Sequence, residues 1–291
     1  MSKKVINTTT FKNYSSSEYK EHTTQNWSEA PCGTNYTQEK TLSRKYFEEI
    51  EKHRYHTHPW IKEAMDSFKI KGKDVLEIGF GAGTDHLNLA RRGGRMHGID
   101  LTPSNHEITH KRLSLYGFKS NLIIGDAEIL PYENETFDFV YSFGVVHHTP
   151  DTKKAVDEIY RVLKPGGRCW LSVYNKDSIF FWWSIFFVQF LLKKGWKKRS
   201  FQQQLSLIEY PNINENMVIK LYKRKEFEMM FNNFKNVKAH IRHLIPIDIA
   251  YVSSFYNNPF SPNPLLSRIG KKFGWYIILD ALKSPNLKIA V

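Results

Sequence analysis

The chain has 291 residues, and its 41% apolar and 14% aromatic content is enough for a packed core and excludes global disorder. Its formal net charge of +13 favours anionic partners such as nucleic acid, an acidic lipid surface or an acidic substrate, unless it reflects a lysine-rich proteome. Cys32 and Cys169 lie too far apart for a redox motif, and no zinc-type spacing occurs, so we expect a reducing cytosol.

The first residues, MSKKVINTTTFKNYSSSEYK, are polar and contain no apolar segment of the secretory type. We therefore expect no secretory signal here, and a flexible tail over residues 1–37. Two amphipathic segments follow at 38–55 and 58–68, and they predict an N-terminal helical lid over residues 38–70.

From Lys71 onward, apolar strand-like runs alternate with helical patterns. The strand candidates are 74–79, 95–100, 121–126, 137–143, 168–174, 237–244 and 274–282, and the helix candidates are 84–92, 103–117, 151–163 and 223–234. Thr102-Pro103 and Pro150-Asp151 are helix-start signals, and Pro165-Gly166-Gly167 is a stop. This alternation predicts a doubly wound α/β fold with a mostly parallel seven-stranded sheet covered on both faces.

A glycine-rich loop follows the first strand. Gly79, Gly81 and Gly83 alternate with other residues, which lets the backbone turn tightly and approach a ligand closely. A dinucleotide-binding loop has the spacing G-x-G-x-x-G, whereas the third glycine here comes one residue earlier, and Glu77 precedes the loop within the strand.

Acidic residues end the next two strands. Asp100 lies seventeen residues beyond Gly83, where a carboxylate can accept hydrogen bonds from both hydroxyls of a ribose. Asp126 ends the third strand, and the fourth runs into SFGVVHHTPD. Because the carboxyl ends of parallel strands meet at one edge, these residues predict a single ligand crevice.

The segments VLEIGFGAGTD, GIDLT, GDAEILPYENETFDFVYSFGVVHHTPD and RVLKPGG, within about residues 74–175, resemble class I S-adenosylmethionine-dependent methyltransferases. They are most similar to the type 11 small-molecule branch, which includes ubiquinone and menaquinone methylases. The resemblance implies a Rossmann-like core that binds S-adenosylmethionine. The implied cofactor contacts are Glu77, Gly79, Gly81 and Gly83 at the methionine part, Asp100 at the ribose, Leu101, Asp126 and Ala127 at the adenine, and Ser142 and Phe143 at the sulfonium.

Methyl transfer needs a nucleophile held about 3 Å from the methyl carbon, and a base of near-neutral pKa if the nucleophile carries a proton. His147 and His148 follow the fourth strand and are the predicted base candidates, with His148 favoured. The alternative is that one of them caps the helix that starts at Thr149-Pro150-Asp151. We expect Glu128 to be solvated and His86 to lie on the surface or in packing.

The segment HRYHTHPW (53–60) contains three histidines but no carboxylate or cysteine at ligand spacing, so no metal is expected. It is interpreted as part of a lid, together with residues 26–36, and its Tyr55 and Trp60 as walls of the acceptor pocket.

The segment IFFWWSIFFVQFLLKKGWKKR (179–199) is too short in its apolar part to span a membrane, which takes about 20 apolar residues. Its position after the fifth strand favours a cap insertion (176–222) over the crevice. Shallow contact with an anionic membrane and a dimer contact are the alternatives. The expected acceptor contacts are Tyr174, Phe186 and Phe187. Arg242 and His243, at the end of the sixth strand, are expected either to hold an anionic group of the acceptor or to be solvated.

These observations predict a core at 71–175, completed by residues 223–291. The predicted function is methyl transfer to a small, hydrophobic or lipid-linked acceptor. RNA methylation is an alternative motivated by the charge, although no Asn/Asp-Pro-Pro-Tyr motif follows the fourth strand and no RNA-binding module is visible. A peptide or natural-product acceptor is a further alternative. The expected location is the cytoplasm, with or without peripheral membrane contact.

Overall fold

The computed structural model describes residues 16–29, 34, 37–208 and 219–285. Expectations for Cys32, for the remainder of the tail and for the middle of the insertion fall outside these residues. The helices are α1 Ser16–Glu29, α2 Arg44–Thr57, α3 Pro59–Asp66, α4 Thr84–Arg91, α5 Pro103–Leu115, α6 Thr152–Val162, α7 Phe201–Ser206, α8 Arg224–Met229 and α9 Pro264–Phe273. The strands are β1 Asp74–Ile78, β2 Arg95–Asp100, β3 Asn121–Ile124, β4 Phe137–Phe143, β5 Leu163–Asn175, β6 Leu221–Tyr222, β7 Lys235–Arg242 and β8 Tyr276–Leu282.

One sheet organises the molecule, with the strand order β3-β2-β1-β4-β5-β8-β7. The pairs along β3-β2-β1-β4-β5 are parallel, whereas β8 runs antiparallel to both β5 and β7. The predicted mostly parallel α/β fold is therefore confirmed. The two-residue strand β6 pairs with β5 beside this path and makes the sheet eight-stranded instead of seven-stranded. The strand order reverses between β1 and β4, which is where ligands bind in sheets of this kind.

The core lies on both faces of the sheet because successive residues of each strand point to opposite sides. On one face, the buried side chains of α6 and α8 pack against the strands, for example Leu76, Val140, Leu171, Ile159 and Phe227. On the other face, α3 packs against the strands through Val75, Phe139, Trp170, Ile61 and Met65. Continuous apolar strands are thus the consequence of a sheet covered on both sides.

Strand β5 begins earlier than predicted. The sequence Pro165-Gly166-Gly167 was expected to separate a helix from a strand that starts at residue 168, but the strand already pairs at Leu163. The pairing with β4 shifts register between Phe137 and Phe139, and the proline and glycines occupy the resulting irregularity.

Helix α1 occupies a segment that was expected to be a loose tail. It has no apolar stripe, so hydrophobic periodicity does not reveal it. Tyr19 and Thr23 are nevertheless buried, because the helix lies against the carboxyl edge of the sheet. Its formation therefore depends on tertiary contacts.

The insertion after β5 contains a π-helix at Phe180–Leu192 and the short helix α7. Its buried residues pack with Tyr174 of β5 and with Trp275 just before β8. Within the described part of the chain, no helix combines the length and apolarity that a membrane crossing requires. The expected segment boundaries stay predictions.

Candidate active site

A cavity of about 450 Å³ opens at the carboxyl edge of the sheet, beside the point where the strand order reverses. The loops after β1, β2, β3 and β4 form its floor. Helix α1, the junction of α2 and α3, and parts of the insertion and of residues 243–276 complete its walls. The predicted single crevice is therefore present in the fold.

The glycine loop gives the cavity a close backbone wall. A Cβ atom on Gly79, whose φ is +76°, would lie 2.2 Å from the Val145 side chain, so a larger residue cannot pack there. Gly81 has φ +50°, lines the cavity and meets no described atom within 4 Å of an added Cβ. Gly79 thus allows the loop to pack on the segment after β4, whereas Gly81 leaves room for a ligand beside the backbone.

Asp100 lies at the end of β2 and is buried in the same wall. Its Oδ2 accepts a hydrogen bond from the Gly81 amide at 3.0 Å, and its Oδ1 accepts from the Thr102 amide and from Asn105 Nδ2 at 2.9 and 3.1 Å. Burial raises the pKa of Asp100, and these donors oppose the rise. The carboxylate therefore fixes the glycine loop and retains lone pairs for a ligand hydroxyl.

Sequence reasoning missed Asn105 in this wall. Its Oδ1 is buried and has no hydrogen-bond partner among the described residues, although the residue lines the cavity. A polar residue in the first turn of α5, directly after the acidic strand end, was the available signal.

Glu77 and His86 share a proton beneath the loop. Ser120 Oγ donates to the Met96 carbonyl, so it accepts from His86 Nε2, and a neutral His86 must then accept the Glu77 proton at Nδ1, 2.8 Å away. Burial raises the pKa of Glu77 well above its usual range and lowers the pKa of His86 to about 3, which favours the neutral pair. His86 is thus part of the packing, as one of its two interpretations held, and Glu77 lines the cavity.

A second pair, Arg54 and Asp85, was not predicted. The Arg54 guanidinium donates two hydrogen bonds to the carboxylate, which also accepts from Tyr55 and Tyr141 hydroxyls at 2.9 and 2.7 Å. Burial alone would raise the pKa of Asp85, but Arg54 holds it below its usual value. Arg54 also lies 4.5 Å from the centre of the Phe143 ring and lines the cavity.

Asp126 faces the cavity from the loop after β3 and forms an ion pair with Lys20 of α1. Lys20 also contacts Glu128 at 3.0 Å, and Glu128 accepts from the Asp151 amide at 2.6 Å. The expectation of a solvated Glu128 is therefore wrong: its buried carboxylate links α1 to the start of α6. The predicted role of Asp126 at the adenine stays a prediction.

The two histidines after β4 differ in position. His148 lines the cavity, whereas His147 is fully buried and is not among the described residues that line it. Burial lowers the pKa of His147 well below its usual value, which keeps its ring neutral. The helix that follows is capped by the Asp151 side chain, so neither histidine serves as that cap. The role of base stays a prediction, and position favours His148.

The other predicted contacts divide in the same way. Leu101, Ala127, Phe143 and Tyr174 line the cavity, whereas Ser142, Tyr55, Trp60, Phe186, Phe187 and Arg242 are not among its described lining residues. Ser142 donates to the Ile78 carbonyl inside the sheet, Trp60 packs on Phe143, and Phe187 is 44% exposed. The insertion contacts the cavity through Phe180 and Ile208 instead.

The far end of the cavity is aromatic and contains titratable groups. Tyr174, Phe180, Trp275 and Tyr276 line it, and so do His58, His243 and Asp248. The alternative of a solvated His243 is wrong, because its side chain is only 6% exposed. Within the described ranges, no group of three or more His, Cys, Asp or Glu side chains is arranged to hold a metal ion.

These features fit S-adenosylmethionine: an open backbone wall at Gly81, a buried acidic strand end at Asp100 and an unpaired amide oxygen at Asn105. When bound, the cofactor supplies a sulfonium methyl group. The chain's own residues supply the cradle and the adjoining aromatic chamber.

Comparison with known proteins gives the same assignment. Residues 76–171 match the family model described as a methyltransferase domain. The chain is 36% identical over 109 residues to phosphoethanolamine N-methyltransferase 2 of Caenorhabditis elegans, which covers 36% of this chain and 24% of that protein. It is 37% identical over 100 residues to the phthiotriol/phenolphthiotriol dimycocerosates methyltransferase of Mycobacterium leprae, covering 34% of this chain and 36% of the relative. The matches thus span well under two thirds of these relatives.

Solved structures share the fold over more of the chain. The methyltransferase bound to the Trm112 activator of Haloferax volcanii superposes with a TM-score of 0.57 at 18% identity, covering 84% of this chain and 96% of that one. Phosphoethanolamine N-methyltransferase 2 of Haemonchus contortus, solved with S-adenosyl-L-methionine, gives a TM-score of 0.52 at 18% identity over 79% and 53% of the two chains. The chain carries a class I S-adenosylmethionine-dependent methyltransferase domain.

Proposed function

We propose that the chain transfers the methyl group of S-adenosylmethionine to a small hydrophobic or lipid-linked acceptor. The observation that carries this proposal is one continuous cavity with two unlike ends. Gly81, Asp100 and Asn105 form a polar end suited to the cofactor, and Tyr174, Phe180 and Trp275 form an apolar end under the insertion. Burying an apolar acceptor there would stabilise the complex by about 25 cal/mol per Å² of apolar surface.

The relatives support a small-molecule acceptor, and one of them supports a lipid-linked one. Its name specifies phthiotriol dimycocerosates, whereas the name of the other specifies phosphoethanolamine, a small polar amine. Since these matches cover only a part of each relative, the acceptor must be found by experiment.

The test uses purified protein and S-adenosyl-[methyl-³H]methionine. Calorimetry with S-adenosylhomocysteine first measures cofactor binding. The protein is then incubated with the labelled cofactor and, in separate reactions, a lipid extract, a polar metabolite extract or total RNA. We expect label in the lipid extract. Label confined to RNA or to the polar extract would overturn the proposed acceptor class, and failure to bind S-adenosylhomocysteine would overturn the enzymatic function.

We also propose that the insertion brings the cytoplasmic enzyme to anionic membranes. Trp182, Trp183, Phe187, Leu191, Leu192 and Trp196 are each between 40% and 56% exposed. Lys193, Lys194, Lys197 and Lys198 flank Trp196 and are exposed. Aromatic residues beside a basic cluster suit the headgroup layer of an anionic bilayer, where each basic residue contributes about 1 kcal/mol.

Vesicle co-sedimentation tests this second proposal. We expect binding to vesicles of phosphatidylserine and phosphatidylcholine, weaker binding in high salt, and loss of binding when the four lysines are changed to Gln. The same number of Gln changes at exposed Lys225, Lys238, Lys271 and Lys272 is the matched control. Equal binding to neutral vesicles, or equal losses in both variants, would contradict an electrostatic contact through the insertion.

A further inference from the structure

His58, His243 and Asp248 form a cluster in the aromatic end of the cavity. The rings of His58 and His243 stack with their centres 4.1 Å apart and their planes within 2°. His243 Nε2 lies 3.6 Å from Asp248 Oδ2. The three residues come from separate elements: the junction of α2 and α3, the end of β7, and the turn Pro246–Asp248.

The backbone holds His243 in a conformation that few residues adopt. Its φ is +73°, in the left-handed region that favours glycine. Trp275 donates its amide hydrogen to the His243 carbonyl at 2.7 Å. A Cβ on Gly274 would lie 2.3 Å from the Arg242 carbonyl, so the chain segments cross too closely to relax. Strain of this kind, maintained by its surroundings, is found at functional sites.

Burial makes Asp248 the stronger base of the pair. Asp248 accepts from the Ile245 amide at 2.8 Å, and burial raises its pKa to about 7 and lowers the pKa of His243 to about 3. Among the described residues, the other titratable groups that face the cluster are His53 and Arg54 of α2 and Tyr276 of β8. The charge of Arg54 is already balanced by Asp85. A proton taken up by the unprotonated pair is therefore held by the Asp248 carboxyl, while the His243 ring stays neutral.

The cluster adjoins the end of β4, where the family resemblance places the sulfonium. The His58 ring lies 6.1 Å from the Phe143 ring, and Tyr276 lies 5.4 Å from His243 and 5.1 Å from Phe143. An acceptor in the aromatic chamber would thus have Phe143 on one side and His243 on another.

We propose that His243 and Asp248 are the proton-accepting pair for methyl transfer, and that the acceptor atom is an oxygen or nitrogen that carries a proton. As the bond from this atom to the methyl carbon forms, the carbon–sulfur bond breaks and its electron pair goes to sulfur. The acceptor's proton passes to one nitrogen of the His243 imidazole, and the other ring nitrogen gives its proton to the Asp248 carboxylate, so both groups end neutral. The inference rests on the proposed function, and it gives His243 and Asp248 the role that the sequence assigned to His148.

The test compares His243→Asn and Asp248→Asn with the wild type. Asn tolerates positive φ better than other non-glycine residues, and at position 248 it can still accept from Ile245. The matched control is His240→Asn, an exposed position on β7, the strand that ends directly before His243. Each protein is assayed for S-adenosylhomocysteine affinity and for tritium transfer from S-adenosyl-[methyl-³H]methionine to the lipid extract, between pH 5.5 and 9.

We expect both variants to lose about 10²–10⁴-fold in turnover, with S-adenosylhomocysteine affinity unchanged and the control normal. The wild-type rate should rise with pH through the neutral range, and this rise should be absent in Asp248→Asn. Wild-type turnover in both variants, or a product methylated on carbon, would overturn the proposal.

A measurement without acceptor separates this proposal from the proposed function. The His243 ring resonance is followed by NMR from pH 5 to 9 with S-adenosylhomocysteine present. We expect one titration step near neutral pH that disappears in Asp248→Asn. If no extract accepts label but this titration step is present, the proposed function is wrong and the interaction between His243 and Asp248 is still supported. If the titration of the His243 resonance is the same in Asp248→Asn as in the wild type, the proposed pair is wrong.

Discussion

At the scale of single residues, the polar end of the cavity depends on side chains that hold the backbone of the glycine loop in place. Asp100 connects the end of β2 to the glycine loop through Gly81, and Arg112 of α5 supports the same loop from the other side. Both side chains are buried, so their polar atoms need hydrogen-bond partners within the protein. These contacts give two predictions with different readouts, one on affinity and one on stability.

Asp100→Ala should weaken S-adenosylhomocysteine binding about 10- to 100-fold, because a hydrogen bond to a charged group contributes about 1.5–3 kcal/mol. Calorimetry at pH 7.5 measures the affinity. Asp157→Ala, an exposed carboxylate on α6, is the control and should bind normally. An Asp100→Ala protein that remains folded and binds as tightly as the wild type would remove Asp100 from the cofactor site.

Arg112→Met should lower the free energy of unfolding by about 2–4 kcal/mol. The fully buried guanidinium donates to the carbonyls of Ala82 and Phe47 at 3.0 and 2.9 Å, and these acceptors would be left unsatisfied. Urea denaturation provides the measurement. The control is Arg224→Met. The Arg224 side chain is 54% exposed, and its distance of 3.9 Å from Glu228 is long for an ion pair, so the substitution should change the free energy of unfolding by less than about 1 kcal/mol. Equal effects of the two substitutions would contradict this account.

At the scale of secondary-structure elements, the insertion presents two different surfaces. Phe180, at the start of the π-helix, faces the cavity and packs on Trp275, with ring centres 4.9 Å apart. Phe187, two turns further along, faces solvent. Within this helix the described contact with the cavity is therefore in the first turn, while exposed side chains further along, such as Phe187, are available for other contacts.

Phe180→Ala should reduce kcat/KM for the lipid acceptor about tenfold to a hundredfold and leave S-adenosylhomocysteine affinity unchanged. The physical reason is the loss of about 1.5–3 kcal/mol of apolar burial against the acceptor. Phe187→Ala is the matched control, and we expect its kcat/KM in detergent-dispersed acceptor to equal that of the wild type. If the two variants behave alike, the cavity wall is not where the structure indicates.

At the scale of the whole molecule, burial of ionisable groups links stability to pH. Burial raises the pKa of Asp248 to about 7, above the ordinary value of 3.8. Between these values the folded state binds more protons at this site than the unfolded state does. Its contribution to stability is therefore complete below pH 3.8 and is lost as the pH rises towards 7. His243, with its pKa lowered to about 3, contributes in the opposite direction, since its stabilising effect is present at higher pH and is lost as the pH falls towards 3.

Asp248→Asn removes the first effect and keeps the second. Its free energy of unfolding relative to the wild type should therefore increase from pH 5 to pH 8, by up to about 2–3 kcal/mol. Urea denaturation of both proteins at the two pH values measures this difference. A difference that stays constant or decreases would show that the Asp248 carboxyl is not raised in the folded protein.

Local sequence patterns predict most of the sheet, the crevice and the cofactor loop, but not the short strand β6 or the early start of β5. Strands β1 to β5 and the helices between them are local patterns, and the glycines and Asp100 occur at strand ends that a parallel sheet must bring to one edge. The resemblance over residues 74–175 added the identity of the cofactor. It could do so because the spacing of the glycines within one short loop is a local property of the sequence.

Tertiary structure alone decided which side chains meet from distant parts of the chain. Helix α1 has no apolar periodicity, and only its contacts with the carboxyl edge reveal that Lys20 reaches Asp126. His58 and His243 are 185 positions apart, and no spacing along the chain connects them, yet their rings stack. Phe186 and Phe187 are as apolar as Phe180, and only the direction of the helix determines which of them faces the cavity. Burial, direction and long-range contact are properties of the packed chain, so no local pattern encodes them.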